Sequence, residues 1–420
     1  MAKLAIRGGR PVARKPPVCP WPVADARDRK MLLRTLMNPA GWCRLGVREG
    51  QAEKFERKFA RYHDAKHCLA VANGTVAIET ILKAAGLKPG DEVIVPSITF
   101  IATASGVLMA RGIPIFADAI PETCQIDPAD VEAKITNRTR GIVVVHYAGC
   151  PADLDALGKI ARRHNLFLVE DCAHAHGTAW RGRRVGAFGA GGTFSFQGSK
   201  SLNCGEGGAL VTNDPRVYEA AWAYHHIGRG LKAGDFAFTS IGPNYRLSEL
   251  AAAVLRTLLE KFPAQARTRV RNAARIARGI ADIPGLLPLR RDERITQRGY
   301  YFYVLRLLEE HWGVPREAFV KAFNAESGGL QAGTGYGMPV YRTPVFADNR
   351  FDVVGCEIRG RKAYGRAMAY RAVRCPNAER IAYKEHVTFA QRVLLYADAC
   401  ELVVEIIRKL WENRAELQRV

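Results

Sequence analysis

The sequence predicts an α/β fold: a mostly parallel central sheet in a large domain, followed by a smaller α+β domain. Three observations carry this. From about residue 66, short runs rich in β-branched residues alternate with helical patterns. The strand-like runs are apolar throughout rather than alternating, as strands covered on both faces are. After about Gly242 the alternation gives way to long helical stretches.

In chain order, Cys68–Asn73 reads as a strand leading into a helix over Thr75–Gly86, whose apolar residues recur at i, i+3 and i+4. Gly90–Pro96 is the next strand, a helix covers about Ile101–Arg111, and Ile113–Asp118 and Gly141–His146 are further strands. A helix over Leu154–His164 returns the chain to a strand at Leu166–Glu170. Beyond Gly242, Asn244–Leu259 predicts a helix, a second and basic helix runs through Arg278, Gly299–Leu307 is strand-like, and an amphipathic helix spans Ala399–Leu417. The change of pattern sets a domain boundary near residue 263. Residues 1–262 form the large domain with an N-terminal arm, and residues 263–420 the small one.

Composition narrows the function class. At 420 residues, 48% hydrophobic and 25% charged, the chain has the balance of a soluble globular protein with two or three cores. Its N-terminus is basic but runs into Pro-rich sequence, unlike a secretory signal, and no apolar run approaches the ~20 residues that span a bilayer. A cytoplasmic, membrane-free protein is expected. The ten cysteines are scattered singly, the nearest pair being Cys356 and Cys375, so CxxC spacing is absent and neither zinc nor any other metal is expected. The charge is unusual: 62 Lys+Arg against 41 Asp+Glu gives +21. The densest basic stretch, Arg359–Arg374, interleaves tyrosines and contains no acid. It reads first as a solvated surface. Nucleic-acid binding is the reading of another class, and a phosphorylated or carboxylated substrate would also use such a field.

The chemistry concentrates after Leu166–Glu170. That apolar run ends in Asp171, and Phe194–Gly208 then isolates Lys200 among serines and glycines. A lysine on a small-residue turn beside a carboxylate that ends a buried strand is what pyridoxal 5'-phosphate chemistry requires. The lysine forms a Schiff base and the acid keeps the pyridine nitrogen protonated. Alone, Asp171 could instead cap a helix. His174, three residues on, is expected to meet Asp171 on one face of a helical turn and to contact the cofactor ring. Ser195, Ser199 and Ser201 offer hydroxyls to a phosphate. The Asn73–Thr75 turn opens a helix whose free N–H groups, approached closely at Gly74, suit an anion. Phe100, on the Pro96–Phe100 turn, could stack on a flat ring.

With these residues assembled, the chain resembles the DegT/DnrJ/EryC1/StrS family of pyridoxal-phosphate-dependent aminotransferases from about Trp42 to the C-terminal helix. The motifs are Asn73–Glu79, Val95–Thr103, Val169–Gly177, Phe194–Lys200, Gly205–Gly208 and Asn244–Leu250. The resemblance implies fold type I, the aspartate-aminotransferase-like fold, in a homodimer whose subunits share the active site. It implies Lys200 as the Schiff-base lysine and Asp171 as partner of the pyridine nitrogen. It further implies His174 at the cofactor's 3-hydroxyl and Phe100 as the stacking aromatic. Gly74, Thr75 and Ser195 become phosphate contacts, and Asn244 the residue lent to the neighbouring subunit's phosphate. Relatives with His in place of the lysine are dehydratases, and Lys200 disfavours that branch. Ala173–Gly186, Pro339–Phe346 and Arg374–Ile381 are most similar to the glutamine-dependent scyllo-inosose aminotransferases and the 3-amino-5-hydroxybenzoate synthases of antibiotic pathways. His386–Tyr396 departs from the paired histidines usual there. The expected activity is amino transfer from glutamine or glutamate to a cyclic keto acceptor, a keto-cyclitol or keto-sugar. A nucleotide-sugar aminotransferase and a 3-amino-5-hydroxybenzoate synthase-like enzyme are the alternatives.

Overall fold

A computed structural model describes residues 3–15, 17–39, 41–42, 49–231, 237–351 and 369–418, and the backbone alone of 358–359, 362–363 and 366–367. Within the basic stretch Arg359–Arg374, residues 360–361, 364–365 and 368 lie outside the described residues.

Seven strands form the central sheet: β1 (His67–Val71), β2 (Glu92–Pro96), β3 (Ile113–Ala117), β4 (Thr139–Val145), β5 (Phe167–Asp171), β6 (Gly191–Ser195) and β7 (Gly208–Thr212). Their spatial order is β1-β7-β6-β5-β4-β2-β3, and every pair is parallel except the two made by β7. The apolar runs have a simple cause. Along β4, Val143 and Val145 enter the core on one face of the sheet while Ile142 and Val144 enter the core on the other. Strands buried on both faces leave no polar alternation to read. The helices Gly74–Ala84 and Ala102–Met109 cover one face, and Gln51–Tyr62 and Leu154–Arg163 the other.

A four-stranded antiparallel sheet follows, in the order Leu286–Pro288, Phe302–Leu307, His386–Ala390, Ala332–Gly333. It packs with the helices Arg316–Glu326 and Ala397–Glu412 around a third core. The fold class is the one expected from the sequence.

Two elements differ from expectation. The two helices expected from Asn244 to Arg278 are one helix, Glu249–Gly279, with Pro263 inside it. Ser248 caps it by accepting from Ala251 N–H at 3.3 Å, so Asn244 lies ahead of the helix. Proline removes one helical hydrogen bond, but burial on both sides offsets this. Leu255, Phe262 and Ala266 pack under the large sheet, and Ala273 and Ile276 pack in the third core. The second difference is Asp171–His174, which is a turn leaving β5 and not a helical turn. No described helix is long and apolar enough to cross a membrane.

Candidate active site

The carboxyl ends of β1, β2, β5 and β6 converge on one cavity of about 590 Å³. Gly74, Thr75, Phe100, Asp171, His174, Ser195 and Lys200 all line it. Residues as distant in sequence as Gly74 and Lys200 thus meet because strand ends on one edge of a parallel sheet face the same crevice.

The helix Gly74–Ala84 aims its N-terminus into this cavity. Asn73 caps it by accepting from Val76 N–H at 3.1 Å, which leaves the amides of Gly74 and Thr75 without helical partners and available to an anion. A side chain at Gly74 would sit 2.8 Å from Ser195 Cβ, so glycine is what lets the turn close against β6. Ser195 Oγ would lie 3.3 Å from the same added atom, and it lines the cavity with Gly74 and Thr75.

Lys200 lies in a loop tied back to β6 and β7: Gly198 N–H donates to Gly205 O at 2.8 Å and Phe196 N–H to Gly207 O at 2.7 Å. Lys200 N–H itself donates to Gln197 O at 2.8 Å. The side chain is 9% exposed, with Nζ 4.1 Å from the centre of the Tyr301 ring. Burial depresses its amine to about 8, with the nearby Asp171 carboxylate opposing that shift. Of the three serines, Ser195 and Ser199 line the cavity. Ser201 turns to His176 Nδ1 at 3.4 Å and is buried away from it.

Asp171 ends β5 with one oxygen accepting from Ala173 N–H at 3.0 Å and the other from Thr103 Oγ1 at 2.8 Å. Thr103 is in turn 2.8 Å from Thr99 Oγ1. Burial pushes the Asp171 carboxyl up, against these hydrogen bonds and the Lys200 charge. Its neighbour Glu170 points to the opposite face, where it accepts from Gly186 N–H at 2.9 Å, Phe188 N–H at 2.7 Å and His146 Nε2 at 3.0 Å. Ala152 N–H donates to His146 Nδ1 at 3.1 Å, which assigns the proton to Nε2. His146, Glu170 and Cys172 cluster as metal ligands would. Yet the imidazole and carboxylate are engaged with protein donors, so the cluster is a brace that fixes the end of β5.

His174 makes no hydrogen bond with Asp171. Its Nδ1 accepts from Ala148 N–H at 3.3 Å, and Nε2 meets the Tyr336 hydroxyl at 2.9 Å. Its ring stacks on Tyr301 at 4.1 Å and 25°. Burial holds it well below the usual imidazole range, so it is neutral. Phe100, 53% exposed, faces Tyr336 across the cavity mouth at 5.7 Å. Tyr301 and Tyr336 come from the second half of the chain and were not among the sequence candidates. The run Gly299–Tyr303 and the glycine-flanked Tyr336 are the signals that mark them. Thr103 was likewise missed, although it closes the Val95–Thr103 motif.

Asn244, like Ser201, is not brought to this cavity. It is exposed, bridges to His226 through the backbone, and accepts from Arg246 N–H at 3.4 Å.

Comparison with known proteins gives a consistent answer. The model of the DegT/DnrJ/EryC1/StrS aminotransferase family matches residues 25–357. The chain is 35% identical over 420 residues, 99% of both chains, to a putative L-glutamine:3-amino-2,3-dideoxy-scyllo-inosose aminotransferase of Micromonospora echinospora. It is 37% identical over 413 residues, 95% of both chains, to the L-glutamine:scyllo-inosose aminotransferase of Streptomyces griseus. The crystal structure of 3-amino-5-hydroxybenzoic acid synthase superimposes with a TM-score of 0.81 at 33% identity, covering 94% of this chain and all of that one. The chain therefore belongs to the DegT/DnrJ/EryC1/StrS aminotransferase family.

Proposed function

We propose that this aminotransferase carries an amino group from glutamine to a cyclic, polyhydroxylated ketone, using pyridoxal phosphate seated in the Lys200 cavity. The observation that carries the reading is the meeting of a partly neutralised, buried Lys200 and a buried Asp171 in one cavity with an anion-ready helix N-terminus. The residues present fit the cofactor. The Gly74 and Thr75 amides with Ser195 Oγ would hold its phosphate, Asp171 its ring nitrogen, and Phe100 and His174 its ring. When bound, the cofactor supplies a carbonyl for the lysine amine and an electron sink for the donor's Cα.

Everything else falls to the chain. Thr103 and Ala173 N–H hold the Asp171 carboxylate in position. Lys200 Nζ, whose burial makes it a usable base near neutral pH, takes the proton from the donor's Cα and returns one to the carbon that bears the transferred nitrogen. Tyr301 and Tyr336 cover the cavity from the second sheet and keep water from the reacting carbon. Gln197, Ser199 and Glu206 on its wall offer partners for ring hydroxyls.

The acceptor class rests on the relatives, two of which are named for inososes. Asn244, exposed and away from its own cavity, supports a homodimer in which it reaches the partner's site. The division into domains 1–262 and 263–420 and a cytoplasmic location belong to the same reading. The test is an acceptor panel with glutamine as donor. Turnover of an inosose and not of nucleotide-linked keto-sugars is expected; the reverse preference overturns the acceptor class. Loss of the yellow cofactor-bound colour in Lys200→Ala is expected, and colour unchanged in that variant refutes the lysine's role.

A further inference from the structure

A second cavity, of about 630 Å³, lies between the helix Glu249–Gly279 and the start of the second sheet. It shares no lining residue with the Lys200 cavity. Five arginines line it: Arg267 and Arg271 from the helix, and Arg290, Arg291 and Arg298 from the chain that enters the sheet. Among the described residues the single carboxylate on its wall, Asp292, is engaged by Arg294 at 2.7 Å. Arg294 is further held by Asp153 and Asp155. Among the described contacts, none of the five arginines ion-pairs with a carboxylate. Two polar atoms at the cavity are buried without a hydrogen-bond partner among the described residues: Arg298 Nε and the hydroxyl of Tyr303, a residue only 3% exposed. Arg298 also lies over the Tyr300 ring at 4.8 Å.

Unpaired cations gathered around one cavity repel one another, and a multiply charged anion relieves that repulsion. Guanidinium forks suit phosphate oxygens bidentately and stack on planar groups. The space exceeds what one phosphate fills, and Val270 and Leu289 give it an apolar wall. We propose that this cavity binds a small molecule bearing two or more linked phosphates, at a site separate from the cofactor's. The site borders the catalytic centre through one segment. Tyr300 and Tyr303 line the arginine cavity, while Tyr301 between them lies over Lys200.

The experiment is calorimetric titration of the cofactor-saturated enzyme at low salt with inorganic pyrophosphate and, separately, with ADP. Saturating the cofactor keeps the Gly74–Thr75 anion site filled, and the cofactor's absorbance reports its retention independently. Binding of either ligand at one site per chain is expected. The exposed double variant Arg271→Ala/Arg290→Ala should weaken it at least tenfold without loss of colour or melting temperature, and Thr75→Ala should leave it unchanged. Tighter pyrophosphate means the phosphates alone are read, and tighter ADP means the apolar wall also contributes; both support the site. The proposal is overturned by no binding at millimolar ligand, by equal affinity in the double variant, or by binding lost in Thr75→Ala. It is also overturned if only an oligonucleotide binds.

Discussion

Removing the charge from Lys200 should stabilise the cofactor-free protein at neutral pH and, on the proposed function, abolish activity. Burial moves the amine from an ordinary 10.5 to about 8. That difference corresponds to about 3 kcal/mol at 1.36 kcal/mol per pH unit. The sign follows from linkage. Below about pH 8 the lysine is protonated both folded and unfolded, and the folded state bears the whole cost of the buried charge. Between about 8 and 10.5 the folded protein holds fewer protons than the unfolded one, so stability rises with pH and the cost disappears. In Lys200→Met the side chain keeps its length without the charge. Asp171 loses a favourable neighbour but keeps Thr103 and Ala173 N–H, which reduces the gain. The variant is therefore expected to exceed wild type by about 1–3 kcal/mol at pH 7 and to converge with it near pH 10.5. Urea unfolding of both cofactor-stripped proteins, followed by far-ultraviolet circular dichroism across that range, measures it. A variant less stable than wild type at pH 7, or a gain that does not shrink with rising pH, would refute the reasoning.

Thr103→Val removes the 2.8 Å hydrogen bond to Asp171 at constant volume. We expect kcat to fall about tenfold, with the KM for glutamine changed less, in steady-state assays. Gly74→Ala would force a methyl to within 2.8 Å of Ser195 Cβ and open the anion site. Cofactor retention on dialysis, followed by absorbance, should drop at least tenfold while secondary structure persists. Glu170→Gln weakens a carboxylate that accepts three hydrogen bonds; denaturant unfolding should show a loss of about 1–3 kcal/mol, and catalysis should fall because the end of β5 is no longer fixed.

Five of the seven strands of the central sheet, β1 to β5, were legible because they are buried on both faces and so read as unbroken apolar runs. Lys200, Asp171 and the Asn73–Thr75 turn were legible because each combines a residue type with a local backbone signal at a strand end. Their meeting in one cavity is a consequence of parallel topology. Tyr301 and Tyr336 stand out locally, in an aromatic run and between glycines, but their place over the cavity was not legible because it depends on the second sheet docking over the first. Glu170 reads only as the end of a strand; its three donors come from His146, Gly186 and Phe188, outside that strand. The i, i+3 spacing of Asp171 and His174 suits a helix, but the same spacing occurs here in a non-helical turn. Charge misled in another way. The basic stretch along the sequence was Arg359–Arg374, whereas the arginine cavity gathers residues scattered from 267 to 298. Density along a chain is not density in space.

The helix Glu249–Gly279 bears on how the molecule comes apart. Its first half is buried under the large sheet and its second half in the third core, with Pro263 between them. Melting either core strips one flank from an element the other core needs. The chain therefore packs around separate cores but should behave as one cooperative unit, with a single calorimetric transition rather than two. Proteolytic cutting near residue 263 should be slow until that transition begins.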